Sequence, residues 1–120
     1  MTLPLTPATL TAAYEFLRTT PPFKGWKLPH ADEVEFHVTR HRDREADHEI
    51  VRRMVHVIRV SVNKVKATDA LMQAMAHEMI HAYQDGVART GTHAVHNTEF
   101  KRLASRVCHV HGWKPEGFAE

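Results

Sequence analysis

The 120-residue chain has a single cysteine, Cys108, few aromatic residues (8%) and only five glycines. One thiol excludes an intrachain disulfide, a cysteine-based zinc ribbon and a CxxC redox pair, each of which needs two. It suits a reducing compartment, and a cytoplasmic location is expected. No segment approaches the roughly 18 consecutive apolar residues of a membrane-spanning helix, so no membrane partner is expected. The opening MTLPLTPATL has neither a basic start nor a sustained apolar core, and is not expected to be a secretory signal. Charge of one sign is also lacking. With 16 Lys and Arg against 14 Asp and Glu the net charge is +2, too small to indicate nucleic-acid binding without clustering on one surface.

The composition is 42% hydrophobic and 25% charged, which at this length suits one compact core and one domain over 1–120. Histidine is the excess: there are 11. Imidazole is the commonest metal ligand and titrates near neutrality, so the histidines are where chemistry is sought.

Thr6 and Pro7 form a cap and first-turn pair, and Leu10, Ala13, Tyr14 and Leu17 recur at helical spacing, which predicts a helix over 7–19 stopped by Pro21 and Pro22. Residues 33–39 alternate, with Val34, Phe36 and Val38 on one face, and predict a half-buried strand. Residues 50–62 are dense in Val and Ile and predict a second strand, broken near Arg52 and Arg53. The intervening RHRDREADHE has nearly balanced charges and is expected to be a solvated hairpin tip without function. Thr68 and Asp69 are expected to cap and open a helix over 69–84 that Gly86 closes. Phe100, Leu103, Ala104 and Val107 mark a last amphipathic helix, from Asn97 or Thr98 to Gly112. The expected class is α+β, with a short antiparallel sheet and flanking helices packed around the middle helix.

That middle helix is apolar almost all round except for Gln73, His77, Glu78 and His81. An unpaired buried polar group costs about 1–3 kcal/mol, and a bound cation would remove the cost for two imidazoles. Residues four apart stand on one helix face, so His77 and His81 can grip one ion. HEMIH is thus an H-E-x-x-H segment, in which the histidines bind Zn²⁺ and Glu78 is the candidate general base for a water beside the ion. Chance alone predicts roughly 0.07 such matches in a chain of this composition. A catalytic zinc needs a third protein ligand, and the candidates are His93, His96 and Glu99. Spacing favours His96, immediately before the last helix, but leaves the other two open. The longer H-E-x-x-H-x-x-G-x-x-H arrangement is excluded by Gln84 and Val87 at its glycine and histidine positions.

With His96, Asn97, Thr98, Glu99 and Phe100 downstream of the HEMIHAY segment, the chain resembles the SprT-like zinc metallopeptidases over roughly 55–112. The resemblance implies a small zincin-like α+β domain, Zn²⁺ held by His77, His81 and His96, and Glu78 as the catalytic glutamate. It implies a metalloendopeptidase acting on protein substrates. An association with DNA is an implication of the resemblance alone. Two departures stand out: Asn97 occupies a position usually held by glycine, and these 120 residues, with one cysteine, hold no cysteine zinc ribbon. The rival reading is a catalytically silent, zinc-stabilised binding module associated with DNA. An intact Glu78 favours the enzyme, because a structural zinc gains nothing from a base and is normally closed by a fourth ligand.

Cys108 is expected to be a buried apolar side chain, and His109 and His111 to lie at a solvated helix end. Tyr83, two positions past His81, is expected to point away from the metal face. Tyr83 and His93 are the candidate oxyanion donors.

Overall fold

A computed structural model of the chain describes residues 4–52, 54–88 and 96–118. Helix α1 (Pro7–Arg18) begins as expected: Thr6 Oγ1 accepts from Thr9 N–H at 3.2 Å and Pro7 takes the first turn. Its buried Leu10, Ala13, Tyr14 and Leu17 form one stripe, and the Tyr14 hydroxyl donates to Pro29 O at 2.5 Å, tying the following loop to the helix.

Three strands follow: β1 (Val34–Thr39), β2 (Ala46–Val51) and β3 (Val55–Ser61), in the spatial order β1-β3-β2. The α+β class holds, but the sheet is mixed. β2 runs antiparallel to β3, whereas β1 runs parallel to it, which corrects the wholly antiparallel expectation. Alternation within 33–39 reports which face is buried and carries no information on strand direction. The charged stretch 40–49 also divides. Residues 46–49 belong to the edge strand β2, with His48 and Ile50 turned to the core side. Asp47 and Glu49 face outward, where both accept hydrogen bonds from Arg59 of β3, Asp47 at 2.9 Å. Cross-strand ion pairs thus hold in a sheet residues whose composition reads as loop. The break expected near Arg52 and Arg53 is there: β2 ends at Val51 and β3 begins at Val55, with left-handed backbone at Arg52 (φ 49°) and Met54 (φ 67°).

Helix α2 (Thr68–Ala82) is the hub, touching α1, β2, β3 and α3. Leu71, Ala74, Met75, Ala76, Met79, Ile80 and Ala82 are all buried, as its near-uniform apolarity predicts. Its start differs from expectation. The capping position is Ala67, no side chain caps, and Asp69 instead accepts from Gln73 Nε2 at 3.0 Å. Its end differs too, because the chain continues through a wide π-helical turn (Tyr83–Ala88) containing Gly86. Gly86 is there for closeness. A β-carbon on it would lie 2.5 Å from His56 Cε1, and His56 is held by a 2.8 Å hydrogen bond between its Nδ1 and His48 Nε2. Helix α3 (Thr98–His111) is capped by Asn97, whose Oδ1 accepts from Phe100 N–H at 2.8 Å, and is closed by Gly112 at φ 77°. Beyond it a turn at Pro115–Phe118, with Gly117 at φ 84°, folds back so that Phe118 is buried against the core. No helix among the described residues is long and apolar enough to cross a membrane.

Replacing Gly86 by alanine should therefore overpack the wall against an immobile ring. Gly86→Ala is expected to lower unfolding stability by about 1–3 kcal/mol, read as a lower urea midpoint at unchanged slope. An unchanged midpoint would show that His56 yields freely.

Candidate metal centre

The last two turns of α2 and the entry to α3 bring His77, His81 and His96 together. His77 Nε2 and His81 Nε2 each lie 3.2 Å from His96 Nε2, and the three ligand atoms lie within 4.8 Å of one another. A tetrahedral ion with bonds of 2.0–2.1 Å to nitrogen requires nitrogens about 3.3 Å apart. The two 3.2 Å separations match that requirement.

The hydrogen-bond chemistry points the same way. His77 Nδ1 lies 2.6 Å from Phe118 O, and a carbonyl only accepts, so Nδ1 carries the hydrogen and Nε2 presents its lone pair to the trio. Burial pushes the His77 pKa down to about 4, so the ring is neutral at ordinary pH and ready to ligate; the Phe118 carbonyl opposes that shift in part. His96 Nε2 carries at most one hydrogen and cannot donate fully into two 3.2 Å contacts at once. A shared cation would satisfy all three nitrogens. The fit therefore rests on tautomer and spacing as well as on residue type.

Phe100, fully buried, forms the floor. Its ring lies 4.3 Å from that of His96 at an interplanar angle of 11°, 4.5 Å from His81 and 5.0 Å from His77. No fourth His, Cys, Asp or Glu joins the trio among the described residues. The remaining side faces a cleft of about 750 Å³ lined by α2, the 43–48 edge of the sheet and the Pro115–Phe118 turn.

Glu78 opens into the same cleft although the residue is only 6% exposed. Burial pushes its carboxyl pKa up to about 8, and the negative charge of Asp47 adds to the shift. A divalent cation beside it would act in the opposite sense, favouring the carboxylate. Asp43, Glu45, Asp47, Asp69, Asp85 and Glu116 also line the cleft, against Arg44 as the one strong base among the described residues. A separate hollow of about 830 Å³ lies between α1 and the start of β1 and contains none of the trio or Glu78.

The other candidates are dispersed. Glu99 is not in the trio; its Oε1 accepts from Gln84 Nε2 at 3.0 Å. Tyr83 packs its ring on Trp26, 4.7 Å away, and does not line the cleft, as its position after His81 predicts. His93 lies outside the described residues, as does Arg53. Cys108 is buried and burial raises its thiol pKa, His109 is exposed, and His111 stacks on Trp113 at 4.6 Å. Sequence reasoning missed the Phe118 carbonyl, for which 113–118 carries no signal beyond a glycine and an apolar terminus. It also missed Gln84, whose spacing of seven from His77 places it on the same helix face.

The fold and the clustered histidines define a small α+β domain consistent with a zincin-like architecture. The family model for the SprT-like family matches residues 16–117, most of the chain, and the chain belongs to that family. No curated protein and no solved structure gives a match.

One Zn²⁺ per chain is expected to bind in direct titration. At free metal about 100-fold above the dissociation constant, the gain of about 2.7 kcal/mol should raise Tm by roughly 10 °C. His96→Ala should abolish most of that rise, whereas Glu99→Gln should keep it. Equal shifts in the wild type and His96→Ala would remove His96 from the ligand set.

Proposed function

We propose that the chain is one SprT-like metallopeptidase domain, a zinc-dependent metalloendopeptidase that hydrolyses peptide bonds in protein substrates in a reducing, cytoplasmic setting. His77, His81 and His96 are the ligands and Glu78 is the catalytic residue. The single observation that carries this reading is the convergence of the three imidazole nitrogens on the wall of an open cleft that Glu78 shares. Bound there, Zn²⁺ would supply a Lewis acid that polarises a peptide carbonyl and lowers the pKa of water at its open position towards about 7.

The rest of the work falls to the chain. Glu78, next in sequence to His77, presents its carboxylate to the cleft from the side and takes the proton of the attacking water. It then returns that proton to the leaving amine, so one group serves as base and then acid. The apolar surroundings keep bulk water from competing for the carboxylate and strengthen its interactions. The Phe118 carbonyl keeps His77 in the ligating tautomer, and the Phe100 ring stops the three imidazoles from rotating out of register. Substrates are unfolded or exposed stretches of protein, whose peptide bonds can enter a cleft of about 750 Å³.

A second reading, a zinc-stabilised module that associates with DNA without turnover, draws on a different observation. Ser61 Oγ donates to His41 O at 2.5 Å and Asn63 Nδ2 to Arg40 O at 2.7 Å, which sets Arg40 and Arg42 at the same end of the sheet as Lys64 and Lys66. All four are exposed. A cleft beside the trio, with no fourth ligand among the described residues, and a buried Glu78 have no use in that reading, which is why the peptidase stands first.

Glu78→Gln separates the two. It is expected to retain zinc within about twofold while cleavage of an unstructured protein falls by about 10²–10⁴-fold. Equal digestion by both proteins would overturn the general-base role. No digestion by the wild type, together with duplex binding that weakens steeply with salt, would favour the second reading.

A further inference from the structure

Two of the three imidazoles sit on one rigid helix, but the third arrives from the corner between 96 and 99, and a ligand set is only as well defined as its least constrained member. Gln84 meets that corner from the other side. It lies seven residues after His77 in the π-helical turn and is 1% exposed. Its Nε2 donates to Asn97 Oδ1 at 3.2 Å and to Glu99 Oε1 at 3.0 Å. The orientation of both amides follows from chemistry. Asn97 Oδ1 must be the oxygen because it also accepts from Phe100 N–H at 2.8 Å, and the Gln84 atom facing two oxygens must be its nitrogen. The chain of contacts is thus Phe100 N–H to Asn97 Oδ1, and Gln84 Nε2–H₂ to both Asn97 and Glu99. It holds the residue directly after His96 and the first turn that carries Phe100, the ring beneath His96.

Stability gives a weak account of this arrangement. Among the described residues Gln84 Oε1 is buried with no hydrogen-bond partner, a feature that costs free energy and that an apolar side chain of similar size would avoid. Asn97 already caps α3 without it. What the amide adds is a polar link from the end of the helix bearing His77 and His81 to the corner bearing His96.

We propose that Gln84 is a positioning residue for the third ligand, holding His96 at the separation the ion requires. The inference rests on the three-histidine reading above. Removal of such an outer support typically costs 10–100-fold in metal affinity while leaving the ligands in place.

The test is a double-mutant cycle on the full chain, with Zn²⁺ affinity measured by competition with a chromophoric chelator. Metal-free stability and the visible spectrum of the Co²⁺ form serve as further readouts. Gln84→Met is expected to weaken Zn²⁺ by about 10-fold or more and to alter the Co²⁺ spectrum, with metal-free stability unchanged or raised. In the His96→Ala background the same substitution is expected to change affinity by less than about twofold, since the ligand it supports is gone. Wild-type affinity in Gln84→Met, or equal losses in both backgrounds, would overturn the proposal while leaving the ligand set intact. If His96→Ala alone binds Zn²⁺ like the wild type, the three-histidine reading fails first and this one with it. If Gln84→Met does not fold without metal, Glu99→Ala supplies the measurement: a loss confined to the His96 background supports the brace, and no loss refutes it.

Discussion

The structure is organised around an electrostatic difficulty: two imidazoles and a carboxylate project from a helix whose other faces are sealed in hydrocarbon. Burial depresses the protonation of His77 and raises that of Glu78, so these groups are held as a neutral base and a reluctant acid. The Nε2 atoms of His77 and His81 both lie 3.2 Å from His96 Nε2, which has at most one hydrogen to share between them. A shared cation would resolve the conflict and would also draw the neighbouring carboxyl towards its ionised form. Fold, site and chemistry are therefore linked through α2.

The surroundings divide the labour of holding that geometry. Phe100 packs beneath all three rings, and the backbone of the C-terminal turn sets the tautomer of His77. The sheet contributes its β2 edge to the cleft wall, and the carboxylates there give the cleft a negative field. Behind α2, Gly86 lets the π-helical turn close onto His56, itself hydrogen-bonded to His48, whose Nδ1 lies 3.8 Å from Asp85 Oδ2. The segment leaving α2 thus lies close against β2 and β3.

Much of this was legible residue by residue. The stripe on α1, the buried face of β1, the all-round apolarity of α2 and the Asn97 to Gly112 limits of α3 follow from local rules that need only a few neighbouring residues. So does the pairing of His77 with His81, because helical geometry fixes it. The errors share a cause. The parallel β1–β3 pairing and the edge strand within a charged stretch depend on partners distant in sequence, where cross-strand ion pairs outweigh local composition. The capping role expected of Thr68 failed for the same reason, since packing of α2 rather than a side-chain cap sets where that helix begins.

The sequence by itself determined which chemistry was available: a helix that carries two imidazoles and a carboxylate at fixed spacing, in a setting where they could not remain unsatisfied. Spacing only favoured His96 over His93 and Glu99, because spacing along a loop does not say where the loop returns, and it was the family resemblance that pointed to His96. Tertiary structure brought His96 to the other two nitrogens and turned Glu99 to Gln84. It also led a backbone carbonyl from position 118 to His77, a contact across 41 residues that no local pattern encodes. Helical periodicity is a short-range property of the chain, whereas closing a coordination sphere requires the whole core to pack.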